Sequence, residues 1–540
     1  MVRMTGGKAV VEALVSEGVD TVFGIPGVHT MEIYDGLCDH EGSIRHILTR
    51  NEVGAGFMAD GYARVTGKVG VGLVITGPGV TNAATALGQA YSDSSPILLI
   101  SSQNRSDHMD RDVGALHQLK DQLGVTAGCT AWNRRVTDPA DVPGAISDAM
   151  TYLGTHRPRP VHIEIPTDVL DAEADMIFAG RSEGSVFSPS ADEIARTAEI
   201  LLGAERPLLW AGGGAVGASE ALTQIADLLG AAVAMTSAGK GVLDENHPLS
   251  LGCNLRSEAM LDFIQTTDAV LVVGSELGVV DTGEGNVRFP KPLIRVDLDP
   301  PRGDRLYQPC IEIQSDARIF AEQLLERLRQ VMGEAAAASE RGSEGKTAFR
   351  GEISDLRDSI LEEGSDDGEV RAIIDVLRQS LMPEDVVVCD MTMLCYRANS
   401  LYFAEQPRTF LFPRGFGTLG WSMPAAIGAK LGQPDRNVVS ISGDGGLLFT
   451  VGDLATAVKY RLPLPILLIN NESYGVVGRM QRGRYGREIG TDICNPDFVQ
   501  MAEAFGARGR RLTDAAQLPA VLNEAFAADG PTIVEFRVGF

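Results

Sequence analysis

The chain is poor in positive charge, holds few cysteines and lacks long apolar runs. Lysine and arginine number 47 against 72 aspartates and glutamates, a net charge of −25, which argues against nucleic-acid binding and favours solubility. Seven cysteines (Cys38, Cys129, Cys253, Cys310, Cys389, Cys395, Cys494) are scattered without any Cys-x-x-Cys. That spacing indicates neither a zinc site nor a disulfide framework and reads as buried reduced thiols. No apolar run reaches the roughly 18 residues of a membrane span, and residues 1–8 lack the apolar core of a secretory signal. A cytoplasmic protein with no nucleic-acid and no membrane partner is therefore expected. The apolar content of 44% is ordinary for a globular chain, and 540 residues predict several domains.

What is present is a spaced pattern near the C-terminus: Gly443-Asp444-Gly445, then 24 residues, then Asn470-Asn471. The apolar runs 437–442 and 464–469 read as buried parallel strands, with a short helix over 454–460 between them. A right-handed crossover brings both strand ends to one edge of the sheet, where ligands bind in open α/β folds. Asp444 and Asn471 then offer hard oxygen ligands to Mg²⁺, which binds through one or two protein oxygens plus substrate phosphates. Gly445 and Gly446 allow backbone N–H groups to approach a diphosphate. Asp-Gly alone marks no more than a turn; the Asn pair and the flanking strands give the pattern its weight.

The chain repeats itself. Pro96-Ile97-Leu98-Leu99-Ile100 recurs as Pro465-Ile466-Leu467-Leu468-Ile469. Each copy closes a unit that opens with a strand and a Gly-rich turn, which predicts a duplicated α/β domain. Residues 171–192 leave the α/β rhythm as a crossing linker, and 333–346, rich in Ala, Glu, Ser and Gly, read as a mobile stretch. The boundaries expected are 1–170, 193–332 and 350–540. In the middle segment Gly212-Gly213-Gly214-Ala215-Val216-Gly217 fits G-x-G-x-x-G after a strand. A tight strand-to-helix turn of an α/β domain is the preferred reading over a nucleotide site, and 273–286 carry no flavin pattern, so FAD is unsupported.

In the first half, Glu52 sits at the turn between a strand (44–48) and a helix, where a carboxylate is also favoured by the macrodipole. His29 ends a Gly/Pro loop, residues 23–30, after the strand 21–23 and is a candidate proton-transfer group. His117 and Gln118 follow a polar loop, 104–112; His117 reads equally as a histidine on a helix surface.

Together these motifs resemble thiamine diphosphate (ThDP) enzymes of the acetolactate synthase and benzaldehyde lyase-like superfamily, and the resemblance covers almost the whole chain. It implies an α/β fold of three domains: two related parallel-sheet domains, binding the aminopyrimidine and the diphosphate, flanking a central Rossmann-like domain. It implies ThDP and Mg²⁺ as cofactors, with Asp444, Asn471 and the Ser473 carbonyl on the metal. Pro26, Gly443, Gly445, Gly446, Tyr474, Gly475 and Val476 would lie against the cofactor. Gly417 C=O would accept from its 4′-amine, and Leu419 would wedge between its rings. Glu52 would hydrogen-bond N1′ of the aminopyrimidine, and a carboxylate in a poorly hydrated cleft can share a proton with a ring nitrogen. Gln118 matches the glutamine these enzymes carry at the reaction centre.

His117 and Met480 depart from the resemblance to acetolactate synthases, which carry Phe and Trp at those points. FGIPGVHT, GAGFMADGYAR, ITGPGVTN and GFGTLG look most like 5-guanidino-2-oxopentanoate decarboxylases. The implied reaction is non-oxidative loss of CO₂ from that 2-oxo acid through an enamine. Alternatives are an acetolactate synthase-like or benzaldehyde lyase-like carboligase, and a non-catalytic ThDP-binding relative. Asp107, Asp110, Asp112 and Glu472 are candidate partners for a guanidinium. Related domains that hold opposite ends of one cofactor imply a homodimer, or a tetramer built as a dimer of dimers, with sites at the subunit interface.

Overall fold

The computed structural model describes the chain except residues 110, 179–183, 185, 256, 304, 337–342, 364–367 and 540. Asp110 and parts of both expected linkers thus lie outside the described residues. The chain forms two compact units: one comprises Met1–Ser185, Val387–Met393 and Gly415–Phe540, the other Val186–Val386 and Leu394–Arg414.

The first unit holds two parallel sheets. The N-terminal sheet runs in the order Arg45–Leu48, Thr21–Gly24, Gly70–Val74, Ile97–Gln103, Val161–Pro166, Trp132–Arg135. Five strands of the C-terminal sheet run Val386–Cys389, Val438–Gly443, Pro465–Asn470, Thr532–Arg537, Arg508–Leu512. Apart from its first edge strand, the N-terminal sheet repeats that order, and the two Pro-Ile-Leu-Leu-Ile copies fall on the same strand of each. Their Ile-Leu-Leu-Ile side chains are buried on both faces, as the apolar runs predict for parallel strands covered by helices. The duplication is therefore visible in topology as well as in sequence.

Helix Glu52–Thr66 packs on helix Ser422–Gly432 backbone to backbone, with Gly61 against Ala425 and Gly428 against Met58. A buried charge cluster lies beside this contact. Arg64 donates to Asp60 Oδ1 at 2.7 Å and to Asp93 Oδ2 at 2.8 Å. Trp421 Nε1 donates to Asp60 Oδ2 at 2.8 Å, and the Arg64 guanidinium lies 4.8 Å from the Trp421 ring centroid. Buried charges persist only when paired and hydrogen-bonded in this way.

The second unit holds one sheet, ordered Ser250–Gly252, Ala232–Met235, Pro207–Ala211, Ala269–Val273, Leu293–Asp297, Ile311–Gln314, the strand order of dinucleotide-binding folds. Gly212 and Gly214 follow the central strand and pack on Gly274, so backbone approach accounts for these glycines. A cavity of about 410 Å³ lies at the strand carboxyl ends, lined among others by Ser237, Cys253, Ser257, Asn399 and Arg414. Beneath it the buried Lys240 and Glu245 are paired at 2.7 Å.

Two stretches differ from the sequence reading. Glu173–Met176, within the expected linker, forms an antiparallel ribbon with Val2–Thr5. The described ends of 333–346 belong to helices Ala317–Ala336 and Ser343–Glu363. Ala, Glu and Lys favour helix, and Phe349, Ile353 and Ile360, spaced on one face, bury the second helix on the core.

Candidate active site

Strands Val438–Gly443 and Pro465–Asn470 are parallel neighbours with Gly443 opposite Ile469, so Asp444 and Asn471 leave the sheet at the same edge. Asp444 opens helix Asp444–Thr450 and is 3% exposed. Its Oδ1 accepts from Gly445 N at 2.9 Å, and its Oδ2 accepts from Asn495 Nδ2 at 2.9 Å. Asn495 Nδ2 also donates to Asn470 Oδ1 at 3.1 Å, and Asn470 in turn donates to the buried Glu535 at 2.7 Å. Asn471 Oδ1 accepts from Ser473 N at 3.3 Å. Ser473 Oγ and Tyr474 N both donate to Thr491 C=O, fixing the turn before helix Gly475–Tyr485.

Among the described residues no group of three or more His, Cys, Asp or Glu is arranged to hold a metal. A cation here would take one carboxylate, one amide and one carbonyl, a hard and sparse set that suits Mg²⁺ completing its shell with phosphate and water. The buried Asn495 Oδ1 has no protein partner, which marks a polar position open to a ligand or its water.

The loop carrying Gly417 and Leu419 is held at three points. Gly415 N donates to Asp93 Oδ1 at 2.7 Å, Thr418 N to Gln89 Oε1 at 3.2 Å, and Gly420 N to Asp390 Oδ2 at 3.0 Å. Gly417 has φ +69°, and Leu419 is half-buried. Burial pushes the Asp390 carboxyl up to about 6 even though backbone amides of Met391 and Gly420 hold its charge.

On the N-terminal sheet, Glu52 is the first residue of its helix, after the cap Asn51. It is half-buried, and its Oε2 accepts from Asn82 Nδ2 at 2.9 Å. The structure brings His29 and His117 together, with ring centroids 5.4 Å apart. Each has a buried Nδ1 with no hydrogen-bond partner. Burial, then the neighbouring His117, hold the His29 imidazole below its ordinary pKa. His117 is not on a helix surface: its φ is +61°, and its carbonyl rests on Gly77, where a Cβ would collide. Gln118 is half-buried with its amide engaged inside its own loop, donating to Arg111 C=O and accepting from Ala115 N. Pro26 is exposed at the mouth of the first loop. Glu472 is exposed with φ +55°, and Asp107 pairs with Arg105 at 3.2 Å.

The site residues thus form two groups, one at the carboxyl edge of each sheet of the first unit. Sequence reasoning missed Asp390, Asn495 and Asn82. Asp390 had a signal, since it ends an apolar strand just as Asp444 does; Asn495 and Asn82 had none.

Residues 4–125, 194–324 and 390–536 match, in turn, the N-terminal thiamine pyrophosphate binding domain, the central domain and the C-terminal thiamine pyrophosphate binding domain of thiamine pyrophosphate enzymes. The chain is 41% identical to the probable 2-ketoarginine decarboxylase AruI of Pseudomonas aeruginosa, over 99% of this chain and 94% of that protein. It is 34% identical to the acetolactate synthase large subunit of Corynebacterium glutamicum, over 99% and 87%. Against the acetolactate synthase isozyme 2 large subunit of Escherichia coli the identity is 32%, over 99% and 96%. Three matched domains in the order that the duplicated sheets predict, and relatives that span nearly all of the chain, place it in the thiamine pyrophosphate enzyme family.

Proposed function

We propose that the protein is a ThDP- and Mg²⁺-dependent decarboxylase whose substrate is 5-guanidino-2-oxopentanoate, the acid that the name 2-ketoarginine denotes. The observation that carries the cofactor reading is the pairing of Asp444 and Asn471 at one sheet edge, with the unpartnered Asn495 amide oxygen beside them. The substrate reading rests on the 41% identity over nearly the full length.

In this reading Asp444, Asn471 and the Ser473 carbonyl hold the metal. Gly443, Gly445, Gly446 and the turn Tyr474-Gly475-Val476 receive the diphosphate. Gly417 and Leu419, on the loop anchored by Asp390, receive the aminopyrimidine, with Pro26 at the opposite wall. ThDP, when bound, supplies the nucleophilic carbon and the electron sink for loss of CO₂. Glu52 would hold a proton at its carboxyl where it can hydrogen-bond the aminopyrimidine of the bound cofactor. His29 and His117, two neighbouring rings each with an unsatisfied Nδ1, would supply the proton that the aldehyde product takes up, with Gln118 next to His117 in the chain. Acid–base groups placed in this way contribute about 10²–10⁴-fold each.

A second copy of the chain completes the site. Val28, Met31, Leu116, Phe416, Phe449, Met480 and Ile489 are large apolar side chains left exposed on the segments that carry the site groups, and exposed apolar patches mark interaction surfaces. A homodimer, or a dimer of dimers, covers them and brings the N-terminal group of one subunit to the C-terminal group of its partner.

Similarity to acetolactate synthases favours carbon–carbon bond formation as the alternative outcome; the histidine pair favours protonation. A panel of 2-oxo acids with ThDP and Mg²⁺, with and without an acceptor carbonyl, tests both. Release of CO₂ and aldehyde from 5-guanidino-2-oxopentanoate at a kcat/KM about 10²-fold or more above pyruvate is expected, since a site built around a buried charge pair would leave its carboxylate unpaired with the smaller acid. Equal or better turnover of pyruvate removes the guanidino assignment, and no CO₂ from any acid makes the chain a non-catalytic relative.

A further inference from the structure

Arg45–Leu48, the strand that delivers Glu52, is the edge of its sheet. On its inner side it pairs with Thr21–Gly24, and Arg45 N and Thr49 N donate to Asp20 and Gly24 carbonyls. Its outer side would present unpaired groups at His46, Leu48 and Arg50, a liability for any edge strand. Among the described residues no strand covers that side. Three side chains from a single helical face in the C-terminal half do so instead.

Tyr460 OH accepts from Leu48 N at 2.8 Å and donates to His46 C=O at 3.2 Å. Thr456 Oγ1 donates to Leu48 C=O at 3.0 Å, and Asp453 Oδ1 accepts from Arg50 N at 2.8 Å. Asp453 ends a 3₁₀ turn that runs into helix Leu454–Lys459, with Tyr460 at its cap. Positions 453, 456 and 460 therefore share one face at the i, i+3, i+7 spacing. They replace the ladder bonds of a missing strand up to the turn that presents Glu52.

The fit is close. Asp453 is 1% exposed, and its Oδ2 has no hydrogen-bond partner. That oxygen occupies the place a Cβ would take at Gly54, two residues beyond Glu52. Leaving a carboxylate oxygen buried and unbonded is costly, and ordinary packing of two domains does not call for it. The charged groups acting on Asp453 are Arg50 and, more weakly, Glu52.

We infer that Asp453, Thr456 and Tyr460 are positioning residues for Glu52, a clamp that sets the reach of this carboxylate from the domain holding the diphosphate. The inference rests on the reading of Glu52 as the acid that serves the cofactor. It assigns the three residues no contact with cofactor or substrate.

The test uses the full-length enzyme with ThDP and Mg²⁺ and four single variants: Asp453→Ala, Asp453→Asn, Tyr460→Phe and Glu52→Gln. Asp453→Ala and Tyr460→Phe should each lower kcat about tenfold or more with KM little changed, the scale of a misplaced catalytic group. Asp453→Asn keeps an acceptor for Arg50 N and should recover much of the loss. Combining Asp453→Ala with Glu52→Gln should cost no more than Glu52→Gln alone, since residues acting as a unit are not additive. Independently of activity, amide hydrogen exchange across residues 46–52 should quicken in Asp453→Ala and Tyr460→Phe.

Multiplicative losses in the double variant overturn the inference, as does unchanged exchange across 46–52. Where Asp453→Ala does not fold, the same cycle run with Tyr460→Phe decides. Full turnover by Glu52→Gln would instead sink the reading of Glu52 as the acid, and the exchange data would still judge the clamp.

Discussion

Replacing Asp453 by asparagine should make the protein's stability less sensitive to pH, and the size of the effect can be worked from the structure. Burial pushes the Asp453 carboxyl up to about 7 from an ordinary 3.8, opposed by the Arg50 amide and charge and reinforced by Glu52. The folded state thus holds a proton that the unfolded chain releases at lower pH. Below pH 3.8 both states are protonated and the contribution to stability is complete. As pH rises toward 7 the unfolded state ionises first, so stability falls by about 1.4 kcal/mol per pH unit, and above the folded value the loss is complete. Across the interval from 3.8 to about 7 the loss comes to roughly 4 kcal/mol, an upper figure because the opened chain retains some structure. Asparagine fills the same volume, accepts from Arg50 N and does not titrate. Denaturant unfolding of both proteins from about pH 4 to 8, followed on the first unit's transition, isolates the effect because the other carboxylates cancel in the difference. The asparagine variant should gain on the wild type steadily between about pH 4 and 7 and hold its advantage above. A difference that stays constant across that range would refute the reasoning, since it would mean that Asp453 ionises in the folded state as it does in water.

Removing one of the oxygens proposed to hold the metal should abolish Mg²⁺-dependent cofactor binding: calorimetry on Asp444→Ala or Asn471→Ala should give no ThDP heat, and wild-type affinity in Asp444→Ala would sink the site assignment. Glu52→Gln should keep the cofactor and lose about 10²–10⁴-fold in turnover; retention of more than roughly a tenth of the activity would exclude it as the acid. Mixing Glu52→Gln subunits with Asp444→Ala subunits should restore part of the activity in hybrids, because one interface site then carries both intact groups. No restoration in verified hybrids would place both groups of a site in one chain. Arg64→Met should destabilise the first unit by about 3–5 kcal/mol, leaving Asp60 and Asp93 as buried carboxylates without their cation; a loss under about 1 kcal/mol in denaturant would show that water reaches them.

Much of this was legible in the sequence because it is local. Apolar runs of five or six residues ending in glycine or asparagine mark parallel strands, and the observed strands begin or end within a residue or two of the expected ones. The repeated Pro-Ile-Leu-Leu-Ile marks the same strand in two sheets. What could not be read depends on partners remote in the chain. Asp390 acquires its role only when Gly420 folds over it, and Asn495 only when it reaches Asp444 across 51 residues. His117 looks like a helix histidine, but its backbone lies at positive φ in a loop packed on Gly77, 40 residues away in sequence. The stretch around 333–346 reads as low-complexity, yet its helices are recruited by apolar positions further on, at Phe349, Ile353 and Ile360. Composition cannot weigh that burial.

The cluster of Arg64, Asp60, Asp93 and Trp421 also bears on how the chain comes off the ribosome. Asp60 and Trp421 are 361 residues apart, an interval of about 20–70 s at ordinary elongation rates of about 5–20 residues per second. During that time the N-terminal sheet exists without the helix that covers Gly61 and Met58; Arg64 already donates to both Asp60 oxygens, while Asp93 Oδ1 waits for Gly415 N and Asp60 Oδ2 for its second donor, Trp421. The whole second unit is synthesised in between. The nascent N-terminal half therefore carries an open, partly apolar face with an internal cation already in place. That geometry keeps the two carboxylates paired while the face awaits its own C-terminal half, and it makes a neighbouring chain's C-terminal half the natural competitor for the same seat.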